Sequence, residues 1–277
     1  MNFIQKLNSV ATKNNSLVCV GLDPVLDNLP KSITSSKQPF FDFNKTIIDA
    51  TADLVCAYKP NSAFYEALGA DGLEQLQKTC HYISENCPDI PLILDAKRAD
   101  IGNTNDAYGQ FAFDYLGVDS ITLHPYLGGE ALQPFLDRKD KGMIILCRTS
   151  NPGAAELQDL EVGGKKIYQI VAERVSKHWN KNGNCLLVVG ATYPDELAQV
   201  RKIVGEDMWI LLPGIGSQGG DLQKSLKAGL NEAGSGLMVS STRDIIFASN
   251  GPDFAVAARS QANKLRDEIN QIRGIKK

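Results

Sequence analysis

The chain has 277 residues, 43% of them hydrophobic, which is enough for one sizeable core and slightly more than the roughly 250 residues of a (β/α)8 barrel. Its 29 basic and 32 acidic residues leave a formal charge of -3, so bulk electrostatics give it no reason to bind nucleic acid or a membrane surface, although a local basic patch can still hold a small anion. Six cysteines without a CxxC pair and only three histidines argue against a zinc site. The start, MNFIQKLNSVATKNNS, carries no long apolar stretch, and no run reaches the ~20 apolar residues that cross a bilayer, so the expectation is a soluble, cytoplasmic protein of a reducing compartment.

In chain order, a first apolar run at 16–22 is followed by Asp23. Helical periodicity over 41–51 leads to a second run at 54–59, and periodicity over 72–86 leads to a third at 92–97. The segment 105–116 precedes a run at 120–124, 128–137 precedes 143–148, and 165–179 precedes 185–190. Helical patterns at 195–204 and 220–228 lead to runs at 209–213 and 237–241, and a last helix is expected over 254–272. Residues 33–39 and 151–166 read as longer loops.

The eight runs are continuously apolar and do not alternate, as expected for strands covered on both faces of a parallel sheet. Strand alternating with helix in this number predicts a (β/α)8 TIM barrel forming a single domain over 1–277, with a doubly wound open sheet as the rival that periodicity alone does not exclude. The polar residues carry more information than the strand count. Asp23, Lys59, Asp95, Lys97, the segment Arg148-Thr149-Ser150, the turn 214–220 and Arg243 all stand at the ends of candidate strands. In a barrel those ends meet on the face where the βα loops build active sites.

The central motif is Leu94-Asp95-Ala96-Lys97-Arg98-Ala99-Asp100-Ile101-Gly102-Asn103-Thr104. Residues two apart on a strand point the same way, which puts Asp95 and Lys97 on the barrel interior and Asp100 beyond it on the loop. A lysine between carboxylates is held in its charged form, which suits a proton donor and not a Schiff-base nucleophile. Lys59, in Tyr58-Lys59-Pro60-Asn61, can extend this into an alternating chain of lysines and aspartates, in which each buried ion has opposite neighbours. The bland reading of the same residues is an ion-pair cluster that closes the barrel.

The segment Pro213-Gly214-Ile215-Gly216-Ser217-Gln218-Gly219-Gly220-Asp221 is a glycine-rich turn before a helix. Such turns offer backbone N–H groups to anions, Gly219 among them here. After the seventh strand of a barrel this is a familiar phosphate position. Gln218 can add its amide, and Arg243, after the eighth strand, a charge-assisted fork.

These segments resemble the orotidine 5′-monophosphate decarboxylase family. DAKRADIGNT is similar to its signature, and the resemblance continues through GLDP at 21–24, KPN at 59–61, RTSNPGA at 148–154 and PGIGSQGGD at 213–221. The length and the loop after the fifth strand are similar to the longer bacterial branch. The resemblance implies a (β/α)8 barrel that needs neither metal nor organic cofactor, usually a homodimer with shared active sites. It implies Asp23 and Lys59 on the ribose hydroxyls, Asp95 beside the substrate carboxylate, and Lys97 as the donor that protonates C6. It implies Asp100 and Thr104 reaching a second subunit's site, Ser150 on the pyrimidine amide edge, Pro213 lining the cavity, and Gln218 and Arg243 on the phosphate.

Two rivals stand beside that expectation. Related barrels with a similar Asp-x-Lys-x-x-Asp motif use Mg2+ on sugar phosphates, but they place a carboxylate where this chain has Lys59, a cation that would repel the metal. The other is a non-catalytic nucleotide-binding barrel. His124 faces the same rim, and with no base required it reads as a loop anchor. His81 and His178 read as surface or packing residues, and the basic end 273–277 is too short to imply nucleic-acid binding.

Overall fold

Eight short segments rich in Val, Ile and Leu pair side by side, all parallel, in a computed structural model that describes residues 1–216 and 219–274. They are β1 (Val18–Gly21), β2 (Ala57–Lys59), β3 (Ile93–Arg98), β4 (Ser120–Leu123), β5 (Gly142–Arg148), β6 (Cys185–Val189), β7 (Ile210–Pro213) and β8 (Leu237–Ser241). The sheet runs β2-β1-β8-β7-β6-β5-β4-β3. The two ends of that order meet. Tyr58 bridges Leu92, Asn61 bridges Asp95, and the Tyr58 and Asp95 amides donate to the carbonyls of Pro91 and Pro60 at 3.0 and 2.9 Å. The sheet is therefore a closed (β/α)8 barrel, and the open-sheet rival falls away.

Each strand was legible because it is buried on both faces; β1, β2, β4, β6 and β8 have no exposed position at all. The helices between them bury one face against the barrel. Pro39–Thr51 turns Phe43, Ile47 and Ile48 inward, and Gly69–Asn86 turns Leu76, Cys80 and Ile83 inward. Parallel register then brings every strand's C-terminal end to one mouth, with Gly21 beside Lys59 and Pro213 beside Ser240.

The opposite mouth is closed by a helix the periodicity reading passed over, Phe3–Lys13. Asn2 and Gln5 form a reciprocal capping box at its start, and Phe3, Leu7 and Val10 form a buried stripe. The fit is tight: a Cβ on Gly142 would lie 2.3 Å from the Phe3 ring. Lys6 pairs with Asp119 at 2.7 Å, and the Trp209 indole donates to Asn8 at 2.9 Å.

Four expected segments differ in detail. The helices Gly102–Gly109 and Ile167–Arg174 each end in a π-helical turn, Gln110–Tyr115 and Val175–Trp179. The segment expected as one helix over 128–137 is two short ones, Gly128–Ala131 and Gln133–Leu136. Pro134, in the first turn of the second, has no N–H to continue the ladder of the first. The loop 151–166 ends in a hairpin, Glu161 opposite Lys166 and Val162 opposite Lys165, turned by Gly163 and Gly164 with φ of 60° and 76°. All six cysteines are free, and all but Cys87 are buried. Among the described residues, no helix is long and apolar enough to cross a membrane.

Candidate active site

A cavity of about 520 Å³ opens at the C-terminal mouth of the barrel. It is lined by Asp23, Lys59, Asp95, Lys97, Ser150, Pro213 and Arg243, seven of the residues singled out in the sequence. They arrive from six strand ends, as the parallel closure requires.

The floor is an alternating chain of charge. Lys59 Nζ lies 3.0 Å from Asp95 Oδ2, and Lys97 Nζ lies 2.6 Å from Asp95 Oδ1. Asp23 adds a second negative charge near enough to act on Lys59, and its carboxylate accepts the Asn61 N–H at 3.1 Å. Burial pushes the Asp95 carboxyl up, but Lys59 and Lys97 outweigh it and hold its pKa below the ordinary carboxylate value. Burial likewise pulls the Lys59 ammonium down, and Asp95 with Asp23 outweighs that and raises it. At Asp23 burial prevails, assisted by Asp95 and opposed by Lys59, so this carboxyl is raised. The two lysines differ in setting: the Lys59 side chain is 6% exposed and Lys97's is 49% exposed. One cation is locked into the wall, and the other projects into the cavity.

Asp95 and Lys97 do meet, though not by simple strand alternation. The register breaks between Leu94 and Arg98, and Lys97 sits at φ 46°, a left-handed conformation rare for a lysine. The expected further link from Lys97 to Asp100 is absent within one chain. Asp100 joins no ion pair among the described residues; its Oδ1 accepts the Ile101 N–H at 2.7 Å, and its own N–H donates to Asn105 at 2.7 Å. Neither Asp100 nor half-buried Thr104 lines the cavity of its own barrel.

At the far end, Gly214, Ile215, Thr242 and Arg243 line the cavity together. Gln218 lies outside the described residues. Gly219 is on the turn with φ 84°, but its N–H donates to the Gly216 carbonyl at 2.8 Å, and it does not line the cavity. The start of the helix Leu222–Gly229 is capped by Asp221, whose carboxylate accepts the Lys224 N–H at 2.9 Å, so this helix end already carries an anion of its own. Gly21 is required here: a Cβ on it would stand 1.9 Å from the Thr242 hydroxyl oxygen.

The wall beside β5 contains residues that the sequence reading did not select. Ser150 packs so closely over Gly190 that a Cβ there would lie 2.7 Å from its own Cβ. Gln158 lines the cavity and holds Thr149 twice, accepting its N–H and donating to its hydroxyl, both at 2.8 Å. Behind them Arg148 is buried, pairs with Asp159 at 3.1 Å and stacks on Tyr193 at 3.9 Å. Nothing periodic marks Gln158 or Asp159 within their loop. Thr122 and Asn61 also line the cavity, and Asn61 was visible only as a member of Lys59-Pro60-Asn61. His124 does not line it: its Nδ1 accepts the Tyr126 N–H at 3.3 Å, so Nε2 carries the proton and donates to the Ala99 carbonyl at 3.0 Å. That is the loop anchor expected of it.

Fold and site together define a (β/α)8-barrel enzyme with a fixed ammonium–carboxylate–ammonium chain at the floor of its mouth and an arginine at the rim. Residues 16–258 match the orotidine 5′-phosphate decarboxylase / HUMPS family, and the chain belongs to that family. It is 50% identical over 275 residues to the orotidine 5′-phosphate decarboxylase of Cellvibrio japonicus, covering 99% of this chain and all of that one. It is 48% identical over 273 residues to that of Ralstonia pickettii, with 99% and 100% covered. Among solved structures, the Leishmania donovani OMP decarboxylase superposes with a TM-score of 0.86 at 40% identity, with 99% of each chain covered.

Proposed function

We propose that this barrel decarboxylates orotidine 5′-monophosphate to UMP, the last step of de novo pyrimidine synthesis, without metal or organic cofactor, in the cytoplasm. The observation that carries the reading is the Lys59–Asp95–Lys97 chain, inside a cavity that ends in Arg243, in a chain of this family. Loss of CO2 from C6 leaves a vinylic carbanion without the usual adjacent carbonyl sink. Enzymes supply roughly 8–23 kcal/mol of transition-state stabilisation, and this reaction calls on the upper part of that range. An ammonium fixed beside C6 stabilises the developing charge and then delivers the proton. Lys97 is that group: it is half exposed to the cavity, and Asp95 aims it. Asp95 also faces the substrate carboxylate, a repulsion that ends when CO2 departs. Asp23 and Lys59 take the ribose hydroxyls, Ser150 the amide edge of the base and Pro213 its side. Arg243, with the Gly214–Gly220 turn, Gln218 and Gly219, takes the phosphate, a remote contact that supplies binding energy for organising the site. For its own N–H to reach the phosphate, Gly219 must give up its bond to the Gly216 carbonyl.

Asp100 and Thr104 belong in this reading to the neighbouring site of a homodimer. Their position outside their own cavity supports it, as does Ile101, next to Asp100 in the chain and 60% exposed. The Mg2+-dependent alternative is disfavoured because both cavity-floor carboxylates already face Lys59. Purified protein should convert the ultraviolet spectrum of orotidine 5′-monophosphate to that of UMP at a rate unchanged by EDTA. No turnover, or turnover that EDTA abolishes, overturns the reading.

A further inference from the structure

The register break in β3 creates a problem that one side chain solves. Leu94 pairs with Ile121 and Arg98 with Leu123, so Asp95, Ala96 and Lys97 all stand opposite Thr122 alone. A bulge of that kind strips backbone N–H groups of their ladder partners, and a buried unpaired N–H is costly. Thr122 is 1% exposed, and its hydroxyl oxygen accepts both orphans, the N–H of Ala96 at 3.0 Å and that of Lys97 at 2.9 Å. Its single proton goes to Asp95 Oδ1 at 2.9 Å, the same oxygen that Lys97 Nζ approaches at 2.6 Å. A hydroxyl has one proton and two lone pairs, and all three are used here.

The geometry points to Thr122 as the positioning residue of the reaction. It fixes the backbone of Lys97 in its left-handed conformation and the carboxylate of Asp95 in its rotamer, and so sets where the Lys97 ammonium stands in the cavity. The inference rests on the decarboxylation proposed above. Thr122 itself touches no reacting atom. Its effect falls on the alignment of Lys97, which acts in the chemical step, and little on substrate affinity, which resides in the ribose and phosphate contacts. A hydrogen bond to a charged group is worth roughly ten- to a hundredfold in an equilibrium.

The test compares Thr122→Val, which keeps the shape and deletes the hydroxyl, with Thr122→Ser, which keeps the hydroxyl. The wild type is assayed first on orotidine 5′-monophosphate; no turnover there refutes the proposed activity and this inference with it. With an active wild type, Thr122→Val should lose about tenfold or more in kcat while KM stays within about threefold. Exchange of the C6 proton of UMP with D2O, which runs through the same ammonium, should slow in parallel. Thr122→Ser should keep at least about a third of kcat and of the exchange rate. Retention of more than half of kcat by Thr122→Val, a loss in KM alone, or a Ser variant as impaired as Val overturns the inference while leaving the activity standing. If Thr122→Val does not fold, the Ser variant still decides: a tenfold loss of kcat in a folded Thr122→Ser protein refutes the hydroxyl's role.

Discussion

Lys59 and Lys97 grip the same carboxylate, yet their removal should have opposite consequences. Lys59 and Asp95 are 6% and 11% exposed and 3.0 Å apart, so their gross attraction at an effective dielectric near 20 is about 5–6 kcal/mol before desolvation. Breaking a buried pair of this kind costs roughly 3–5 kcal/mol, because a charge is left behind. Asp95 would retain Lys97 and Thr122. The cost of Lys59→Met should therefore sit near the lower end, about 3 kcal/mol, a fall of roughly 6–12 °C in Tm for a domain of this size class. Lys97 is 49% exposed and its pair is screened by water, so Lys97→Met should cost about 0–1 kcal/mol. Activity should follow another order. Lys97→Met should lose roughly a thousandfold or more in kcat, since it deletes both the electrostatic partner of the carbanion and the proton donor. Urea titration followed by far-ultraviolet circular dichroism, run beside turnover of orotidine 5′-monophosphate, measures both. A Lys97→Met protein that loses as much stability as Lys59→Met, or that keeps more than about a tenth of wild-type kcat, would refute the division of labour.

Other outcomes follow from the same geometry. Arg243→Ala should lower kcat/KM for the nucleotide by roughly 10- to 150-fold and leave reaction of the bare nucleoside nearly unchanged; equal losses would make Arg243 a structural residue. Mixing inactive Asp100→Ala with inactive Lys97→Ala should restore about a quarter of wild-type activity, because half the exchanged dimers are mixed and each has one intact site of two; demonstrated exchange without activity would place Asp100 in its own barrel. The Asp95 carboxyl is depressed in the folded state, so the stability it supplies is full above the ordinary value of 3.8 and is lost as pH falls through the lower folded value. Acid titration of stability should accordingly be shallower in Asp95→Asn below about pH 4 than in the wild type. Burial pushes Cys19, Cys80 and Cys185 up to about 12, whereas Cys87 is only partly buried. Ellman's reagent at pH 8 should therefore titrate Cys87 alone in the native protein and all six thiols after denaturation.

The barrel was legible in the sequence because strands covered on both faces need uninterrupted apolar runs, and the site because charge at strand ends is conspicuous against them. What escaped were features whose signal is short or three-dimensional. The helix Phe3–Lys13 announces itself through Asn2, Gln5 and the spacing of Phe3, Leu7 and Val10, but a terminal segment screened only for apolar length does not show this. The hairpin of 161–166 carries its Gly163-Gly164 turn in plain view, but two-residue strands are too short to show alternation in the sequence. The bulge in β3 had no sequence signature, since Lys97 is not a residue that advertises positive φ. Thr122 and Gln158 became visible only once the chain had folded around them.

The left-handed backbone at Lys97 has a consequence for how such a site persists. Among the described residues, only Asn15 and Lys97 hold a positive φ without being glycine, and asparagine is at home there in a way that lysine is not. Glycine at 97 would relieve roughly 1–2 kcal/mol of backbone energy. The same substitution would remove the Lys97–Asp95 pair and, on the proposed reading, the proton donor, so the backbone and the reaction pull in opposite directions at this position. In the proposed mechanism the lysine stands against the folding preference of its own backbone, so the site trades conformational energy for a placed ammonium.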